Sequence, residues 1–254
     1  MMFVARKTLL FIITFLPASF ICQSQVNVRD SFEWPELSKI WSTERMVPGS
    51  IRMQSAIVRN GHSAAAITLK SGDIFEKGQG KSRDSERDEL LEASNLFSAE
   101  NKKYEFRFSM FLPDSFPVVP TRLVIAQWKQ LCPAGGICGD DSPVMAIRYV
   151  SGRLYITIQT DSVTKTVYQT REEIRNRWLD FTFKTRFSRS DSGEVEAWLN
   201  EKPIVHFKGA NCYSAKRGYP EKSYFYFKMG LYRDLMTIPM TIYIDDYSKT
   251  QLAE

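Results

Sequence analysis

The sequence predicts an all-β protein built from antiparallel sheets arranged as a sandwich or jelly roll. Helical periodicity is almost absent from its 254 residues, and short runs of alternating apolar and polar residues recur between Gly, Pro, Asn, Asp and Ser. Roughly ten such strands and no crossover helix exclude a parallel α/β sheet. The one helix candidate is short, from Arg171 to Arg175.

The predicted strands follow one another without a linker or an internal repeat, so we expect one domain over residues 25–254. A composition of 43% hydrophobic residues is sufficient for one sizeable core. The strand candidates are Ser63 to Leu69, Tyr104 to Leu112, Arg122 to Leu131, Val144 to Val150, Arg153 to Thr160, Trp178 to Phe187, Glu194 to Asn200, Ile204 to Phe207, Tyr224 to Arg233 and Met240 to Tyr247.

Residues 1–24 have the pattern of a secretory signal peptide. Arg6 and Lys7 precede an uncharged apolar run that ends at Ile21, and polar residues follow at Ser24 and Gln25. The apolar run is too short for a comfortable membrane span. We expect a secreted or periplasmic monomer with no membrane attachment after cleavage near Ser24.

Without the signal peptide the chain has 32 basic and 29 acidic residues, a net charge of +3. This excess is mild, so any attraction for polyanions must come from a local cleft. No basic run or known module indicates nucleic acid as a partner.

Three cysteines remain in the expected mature chain. A disulfide between Cys132 and Cys138 would close a short loop containing two glycines, and an oxidising compartment permits it. Cys212 then stays free, or it pairs with one of the other two. No histidine or further cysteine stands at metal-ligand spacing, so we expect no metal at the site.

The strand from Tyr224 to Arg233 carries the most specific pattern in the chain. Its apolar face consists of Phe225, Phe227, Met229 and Leu231. Its other face presents Tyr224, Tyr226, Lys228, Gly230 and Tyr232, without a carboxylate. Phenols stack on sugar rings, an ammonium attracts an anion, and a glycine leaves room for a ligand. These residues favour a cleft for an acidic sugar chain, although an edge strand shielded by tyrosines would have the same pattern.

Two other segments place polar residues within strand-like sequence. Arg87 and Glu89 share one face, where the carboxylate could hold the guanidinium ready for a substrate carboxylate. Gln127 and Lys129 share one face near the end of an apolar strand and could polarise a carboxyl group. A solvated charged loop and a strand leaving the core are the alternative interpretations. Arg107, outward on its predicted strand, is a further candidate for substrate binding.

Together these segments resemble the jelly-roll polysaccharide lyases, which include glucuronan lyases, alginate lyases and the heparin lyase I family. Tyr226 to Tyr232 resembles their Tyr-Phe-Lys-x-Gly-x-Tyr signature, and Arg87 to Leu90 is similar to their Arg-x-Glu-Leu segment. Ile242 to Asp246 resembles the closing strand of concanavalin-like sandwiches. The resemblance covers nearly the whole mature chain and implies a concanavalin A-like β-jelly roll of two antiparallel sheets. Of these groups, the heparin lyase I family resembles this sequence most, because of the Gln127-Trp128 pair and Ser142-Pro143.

The resemblance implies a lyase that cleaves a uronic-acid polymer by β-elimination. Arg87 and Gln127 would neutralise the uronate, with Lys228 in support, and Tyr232 would protonate the leaving oxygen. The family's histidine position holds Lys129 here, and the chain's two histidines, at positions 62 and 206, lie outside the matching segments. Lys129 would be the base in its neutral form, or Tyr232 would make both proton transfers while Lys129 neutralises the carboxylate. Tyr224, Tyr226 and Glu89 would assist in binding.

Two other classes compete with a lyase. A sandwich glycoside hydrolase needs two carboxylates flanking the bond, and the acidic residues near Glu89 lack the usual spacing. A lectin-like module would need the aromatic cleft without proton-transfer groups, and the replaced histidine keeps this alternative open. No cofactor is expected. Asp245 and Asp246 could help to hold a structural calcium, although two adjacent aspartates are too few ligands to define a site.

Overall fold

The computed structural model describes residues 26–33, 35–42, 47–74, 76–77, 80–81, 85–139 and 142–253. The predicted signal peptide, residues 1–24, lies outside the described residues. Over the described residues, two eight-stranded antiparallel sheets make up most of the structure, which confirms the predicted all-β jelly roll. Within the described ranges, no helix is long and apolar enough to cross a membrane.

The strands of the first sheet are β1 (Asn27–Asp30), β3 (Ile51–Gln54), β4 (Ala64–Leu69), β9 (Lys103–Phe111), β14 (Trp178–Arg186), β15 (Glu194–Leu199), β16 (Lys202–Lys208) and β18 (Met240–Gln251). They lie in the order β16-β15-β14-β9-β18-β4-β3, and β1 pairs with the second half of β18.

The strands of the second sheet are β2 (Trp41–Ser42), β7 (Ser85–Glu92), β8 (Ser98–Ala99), β10 (Leu123–Gln130), β11 (Met145–Val150), β12 (Arg153–Gln159), β13 (Thr164–Gln169) and β17 (Tyr224–Asp234). They lie in the order β13-β12-β11-β10-β17-β7-β2, and β8 pairs with the start of β17. The tyrosine strand, β17, therefore lies inside the sheet between β10 and β7.

The remaining regular structure is short. A two-stranded ribbon joins β5 (Glu76–Lys77) to β6 (Gly80–Lys81), and two 3-10 helices span Ser94–Leu96 and Ala215–Arg217. The predicted helix from Arg171 to Arg175 is wrong. The Glu173 carboxylate accepts the backbone N–H groups of Ile174 and Arg175, and this local side-chain bonding favours a turn over a helix.

The core lies between the two sheets and is rich in aromatic rings. Trp128 of β10 contacts Phe227 of β17 at 4.8 Å between ring centroids, and it contacts Phe183 of the opposite sheet at 4.7 Å. The four apolar residues of β17 are fully buried, as their alternation predicts. Burial of each such side chain stabilises the fold by about 1.5–3 kcal/mol, so β17 is held firmly with its polar face turned outward.

Gly230 is required by the packing of the sheet, which corrects the expectation that it leaves space for a ligand. Its φ is +145°, and a Cβ there would lie 2.3 Å from the backbone oxygen of Asp88 on β7. The close approach of two strands explains the glycine.

A β-bulge in β10 determines which of its side chains face outward. The register of β10 against both neighbours shifts between Val124 and Ala126. An extra residue in one strand changes the alternation. Val124 therefore shares the outer face with Gln127 and Lys129, while Ala126 and Trp128 face the core.

Candidate active site

Three adjacent strands bring the three predicted segments together on the outer face of the second sheet. Lys129 of β10 lies directly opposite Tyr226 of β17, and Gln127 lies opposite Lys228. On the other side of β17, Tyr232 lies opposite Arg87 of β7. Residues 97, 101 and 145 positions apart in sequence are thus neighbours because of strand pairing.

Glu89 is the acidic centre of this group. Gln127 Nε2 donates a hydrogen bond to Glu89 Oε1, and Glu89 Oε2 lies 3.4 Å from Lys228 Nζ and 3.8 Å from Arg87 Nε. Only 1% of Glu89 is exposed, so it contacts the site's own side chains. Burial acts to raise the pKa of Glu89, but Lys228, Arg87, Gln127 and Lys129 together lower it below its usual value. Glu89 is therefore an ionised anchor that holds the surrounding donors in place.

Tyr232 is stacked between two guanidinium groups. The Cζ atom of Arg87 lies 4.0 Å from the centre of the phenol ring, and that of Arg122 lies 5.1 Å from it. Such cation–π contacts fix the ring and place positive charge over the phenol.

A cavity of about 290 Å³ opens beside Tyr232. Its lining contains four cations and, among the residues the structure describes, no carboxylate: Arg87, Arg122, Val124, Gln127, Lys129, Ser142, Pro143, Arg148 and Tyr232. The cavity is suited to a negatively charged ligand.

The sequence interpretation did not single out Arg122 and Arg148. Arg148 lies on β11 directly opposite Val124. The alternation of Met145–Val150 puts Arg148 on the face opposite Ile147, so the signal was present. It could be used only once β11 was known to pair with β10.

Lys228, Tyr226 and Tyr224 extend the site along β17. Lys228 Nζ lies 5.7 Å from the centre of the Tyr226 ring, and that ring packs against Phe97 at 5.4 Å. Tyr224 is 52% exposed at the far end of the strand. A row of aromatic rings thus leads away from the cavity.

Arg107 does not lie in this site, which corrects its assignment as a binding residue. It lies on β9 in the first sheet, where its Nε donates to Glu105 Oε1 at 2.7 Å, and it lines a separate groove there. The alternation of β9 correctly placed it outward, but alternation cannot tell which sheet a strand joins. His62 and His206 also lie elsewhere, in a loop beside Glu33 and on β16 of the first sheet.

The predicted disulfide between Cys132 and Cys138 is present, with the two Cα atoms 6.0 Å apart. The loop it closes follows directly after β10, the strand that carries Gln127 and Lys129. Cys212 is a free, buried thiol, and burial raises its pKa to about 12. It is therefore unreactive in the folded protein.

Asp245 and Asp246 are occupied by hydrogen bonds and an ion pair. Asp245 Oδ2 accepts the backbone N–H groups of Arg59 and Asn60, and Asp246 lies 3.7 Å from Arg29. No cluster of three or more His, Cys, Asp or Glu side chains suited to a metal occurs in the described part of the chain.

The fold and this face define a class: a β-jelly-roll protein with a cationic, tyrosine-lined cavity suited to an acidic carbohydrate. A family model described as "Polysaccharide lyase" matches residues 32–248. The chain belongs to this polysaccharide lyase family. A search among curated proteins by sequence returns no match.

Solved structures share the fold at low sequence identity. An endo-β-1,4-glucuronan lyase from the fungus Trichoderma reesei superposes with a TM-score of 0.66 at 16% identity, covering 84% of this chain and 91% of that chain. Alginate lyase AlgAT5 of polysaccharide lyase family 7 has a TM-score of 0.55 at 14% identity, covering 83% and 86%. The cellulose-induced protein Cip1 has a TM-score of 0.54 at 12% identity, covering 87% and 96%. These similarities establish the architecture, and the chemistry rests on the residues.

Proposed function

We propose that the protein cleaves a uronic-acid polysaccharide by β-elimination and leaves an unsaturated uronate at the new end. The observation that carries this proposal is the convergence of Arg87, Gln127, Lys129 and Tyr232 around one cavity. Neutralising groups for a carboxylate and candidate proton-transfer groups therefore lie within reach of a single sugar. The glucuronan and alginate lyases that share its fold are consistent with this substrate class.

The reaction removes a proton from C5 of the uronate, forms a double bond between C4 and C5, and breaks the C4–O bond. The carboxylate beside C5 resists the developing negative charge, so cationic and amide donors must neutralise it. Arg87 and Gln127 are the neutralising groups, and both are oriented by Glu89. Lys228 supports them from its ion pair with Glu89.

Tyr232 is the acid that protonates the departing glycosidic oxygen. The base is Lys129 in its neutral form, or Tyr232 itself if Lys129 is needed as a cation. Both side chains line the cavity, so each can reach a bound sugar. The two assignments predict different rescue patterns at position 129.

Within the family, the sequence motifs indicate the heparin lyase I group most closely. Gln127-Trp128 and the strand led by Ser142-Pro143 support this likeness. A panel of glucuronan, alginate and heparin tests this likeness, because lyase cleavage of each polymer yields an unsaturated uronate whose conjugated double bond absorbs ultraviolet light. An ultraviolet-absorbing product from heparin would favour the likeness to the heparin lyase I group. Such a product from glucuronan alone would reject it.

Tyr232→Phe tests the mechanism. The substitution removes the proton donor and keeps the ring between Arg87 and Arg122, so we expect turnover to fall by about 100- to 10,000-fold with nearly unchanged polymer binding. The measurement is the rate of unsaturated product together with affinity by calorimetry. Tyr243→Phe, on the first sheet, is the matched control and should keep full activity.

Three results would contradict the proposal in different ways. Equal product from wild type and Tyr232→Phe would remove Tyr232 as the acid. New reducing ends without ultraviolet absorbance would indicate a hydrolase. Binding without any cleavage by the wild type would indicate a lectin-like protein.

Secretion through cleavage near Ser24, action as a monomer and a structural calcium at Asp245-Asp246 remain predictions. The mass of the exported protein tests the cleavage site, and its sedimentation tests the monomer. Its melting temperature with and without a chelator tests the calcium site.

A further inference from the structure

Arg148 is a half-buried cation that faces the cavity without an acidic partner among the described residues. Its Nε donates to Thr157 Oγ1 at 3.3 Å. Burying a charge without a counter-charge is costly, and proteins usually pair such groups or use them to bind a ligand. Burial, followed by the charge of Arg122, lowers the pKa of Arg148.

Arg122 places a second guanidinium beside Arg148, at the edge of the same cavity. Its Nε lies 2.8 Å from Asp234 Oδ1, and both side chains of this pair are more than a third exposed. An exposed ion pair is worth at most about 1 kcal/mol, so the Arg122 guanidinium can exchange Asp234 Oδ1 for a competing anion while Asp234 Oδ2 keeps the backbone N–H of Arg122.

The charges around the cavity exceed what one uronate requires. Arg87, Arg122 and Arg148 place three guanidinium groups around it; Glu89 lies beside Arg87, Asp234 pairs with Arg122 at the rim, and Arg148 has no acidic partner among the described residues. A cleft with such a local surplus of positive charge attracts more than one acid group. Arg87, Gln127 and Lys129 account for the uronate being cleaved, which leaves Arg122 and Arg148 for another anion.

We propose that Arg122 and Arg148 form a second anion subsite, which selects polymers that carry an acid group on the sugar next to the cleaved uronate. This inference rests on the proposed function and specifies which acidic polymers the site prefers. The shared chemistry is a planar or tetrahedral oxyanion, a carboxylate or a sulfate, because the guanidinium fork binds either through paired hydrogen bonds.

Binding in the Tyr232→Phe background tests the subsite without turnover. We expect Arg148→Gln and Arg122→Gln each to weaken the binding of polyglucuronate, which has an acid on every sugar, by about 10- to 100-fold. Hyaluronan has an acid on every second sugar and no sulfate, so its binding should change less than about threefold. Arg153→Gln, at an exposed arginine on β12, is the matched control and should leave both affinities unchanged.

Chondroitin sulfate shows whether the second anion is a carboxylate or a sulfate. It has the alternating uronates of hyaluronan with sulfate on the intervening sugar. A loss of affinity for it in Arg148→Gln equal to that for polyglucuronate means that the subsite accepts sulfate. A loss for polyglucuronate alone means that it requires a carboxylate.

Equal losses on polyglucuronate and hyaluronan would overturn the inference, because they would show general charge attraction. Unchanged affinity for every polymer in both arginine variants would also overturn it. Arg148→Lys keeps the charge without the fork, and it should recover only part of the affinity if the variants fold. A wild type that binds these polymers but cleaves none would reject the proposed function while leaving the subsite measurable.

Discussion

At the scale of single residues, Glu89 explains why the site is already assembled in the free protein. One buried carboxylate contacts Gln127, Lys228 and Arg87, so none of these long side chains has to be ordered by the substrate. Preorganised donors contribute most to catalysis because they need no rearrangement as charge develops. In the proposed reaction Glu89 is a positioning residue, and Gln127 and Arg87 would be the groups that meet the substrate.

The role of Lys129 is tested by three substitutions. Lys129 is 7% exposed and lines the cavity beside Gln127, and a histidine in its place would be a base that is largely neutral at pH 7. We therefore expect Lys129→His to retain more activity than Lys129→Arg, and Lys129→Ala the least. The measurement is kcat for unsaturated product across pH 5–9. A higher kcat for Lys129→Arg than for Lys129→His would make Lys129 the neutralising group.

The residues that sequence reasoning missed are charged residues on strands. Arg148 follows the alternation of β11, but a lone outward arginine on a strand usually faces solvent. Only the pairing of β11 with β10 places it at the cavity. In contrast, Gln127, Lys129 and Tyr232 could be predicted because their order along the chain resembles a known family.

At the scale of elements, the period of two predicted the faces of β17 well. Phe225 and Phe227 are buried as expected, since alternation follows directly from strand geometry. The bulge in β10 could not be predicted, because it depends on the register of the two neighbouring strands. Strand β7 was also hard to identify, because three of its inward side chains are acidic.

Those inward carboxylates are satisfied by partners that are distant in sequence. Glu86 lies 2.7 Å from Arg233 and Glu92 lies 3.0 Å from Lys249, with all four side chains buried. A sequence rich in charged residues indicates a solvated loop as long as the ion-pair partners of those residues are unknown. Removing one partner of such a pair is costly, because the other charge stays buried.

The disulfide loop after β10 gives a prediction at this scale. Replacing both Cys132 and Cys138 by Ala should lower the free energy of unfolding by about 2 kcal/mol, as expected for a loop of this length. Urea unfolding of residues 25–254 measures the loss. Under denaturing, non-reducing conditions the unsubstituted protein should show one reactive thiol, from Cys212. Three reactive thiols would refute the disulfide.

At the scale of the whole molecule, polar contacts join the two sheets through the core. The pair between Glu92 of β7 and Lys249 of β18 bridges them, and the Tyr247 hydroxyl also donates to Glu92. At one edge, Asp88 of β7 accepts a hydrogen bond from Ser50, immediately before β3 of the first sheet. The sandwich is therefore held together by buried ionic groups as well as by its aromatic core.

Asp88 makes the connection between the sheets sensitive to pH. Burial raises its pKa to about 6, and the hydrogen bonds from Ser50 and Val47 oppose this shift only in part. A carboxyl group with a higher pKa in the folded chain favours folding when protonated. Its contribution is fully present below pH 3.8 and is lost as the pH rises through 6.

Asp88→Asn should remove this dependence. The asparagine oxygen can accept the Val47 N–H as Asp88 Oδ1 does at 3.1 Å, and its amide can donate to the Ser50 hydroxyl. We expect equal stability of variant and wild type within about 1 kcal/mol at pH 3.5, and a variant more stable by up to about 3 kcal/mol at pH 8. Urea unfolding at both pH values measures this, with the exposed Asp191→Asn as control. A variant less stable than wild type at pH 8 would show that the ionised carboxylate strengthens the contact between the sheets.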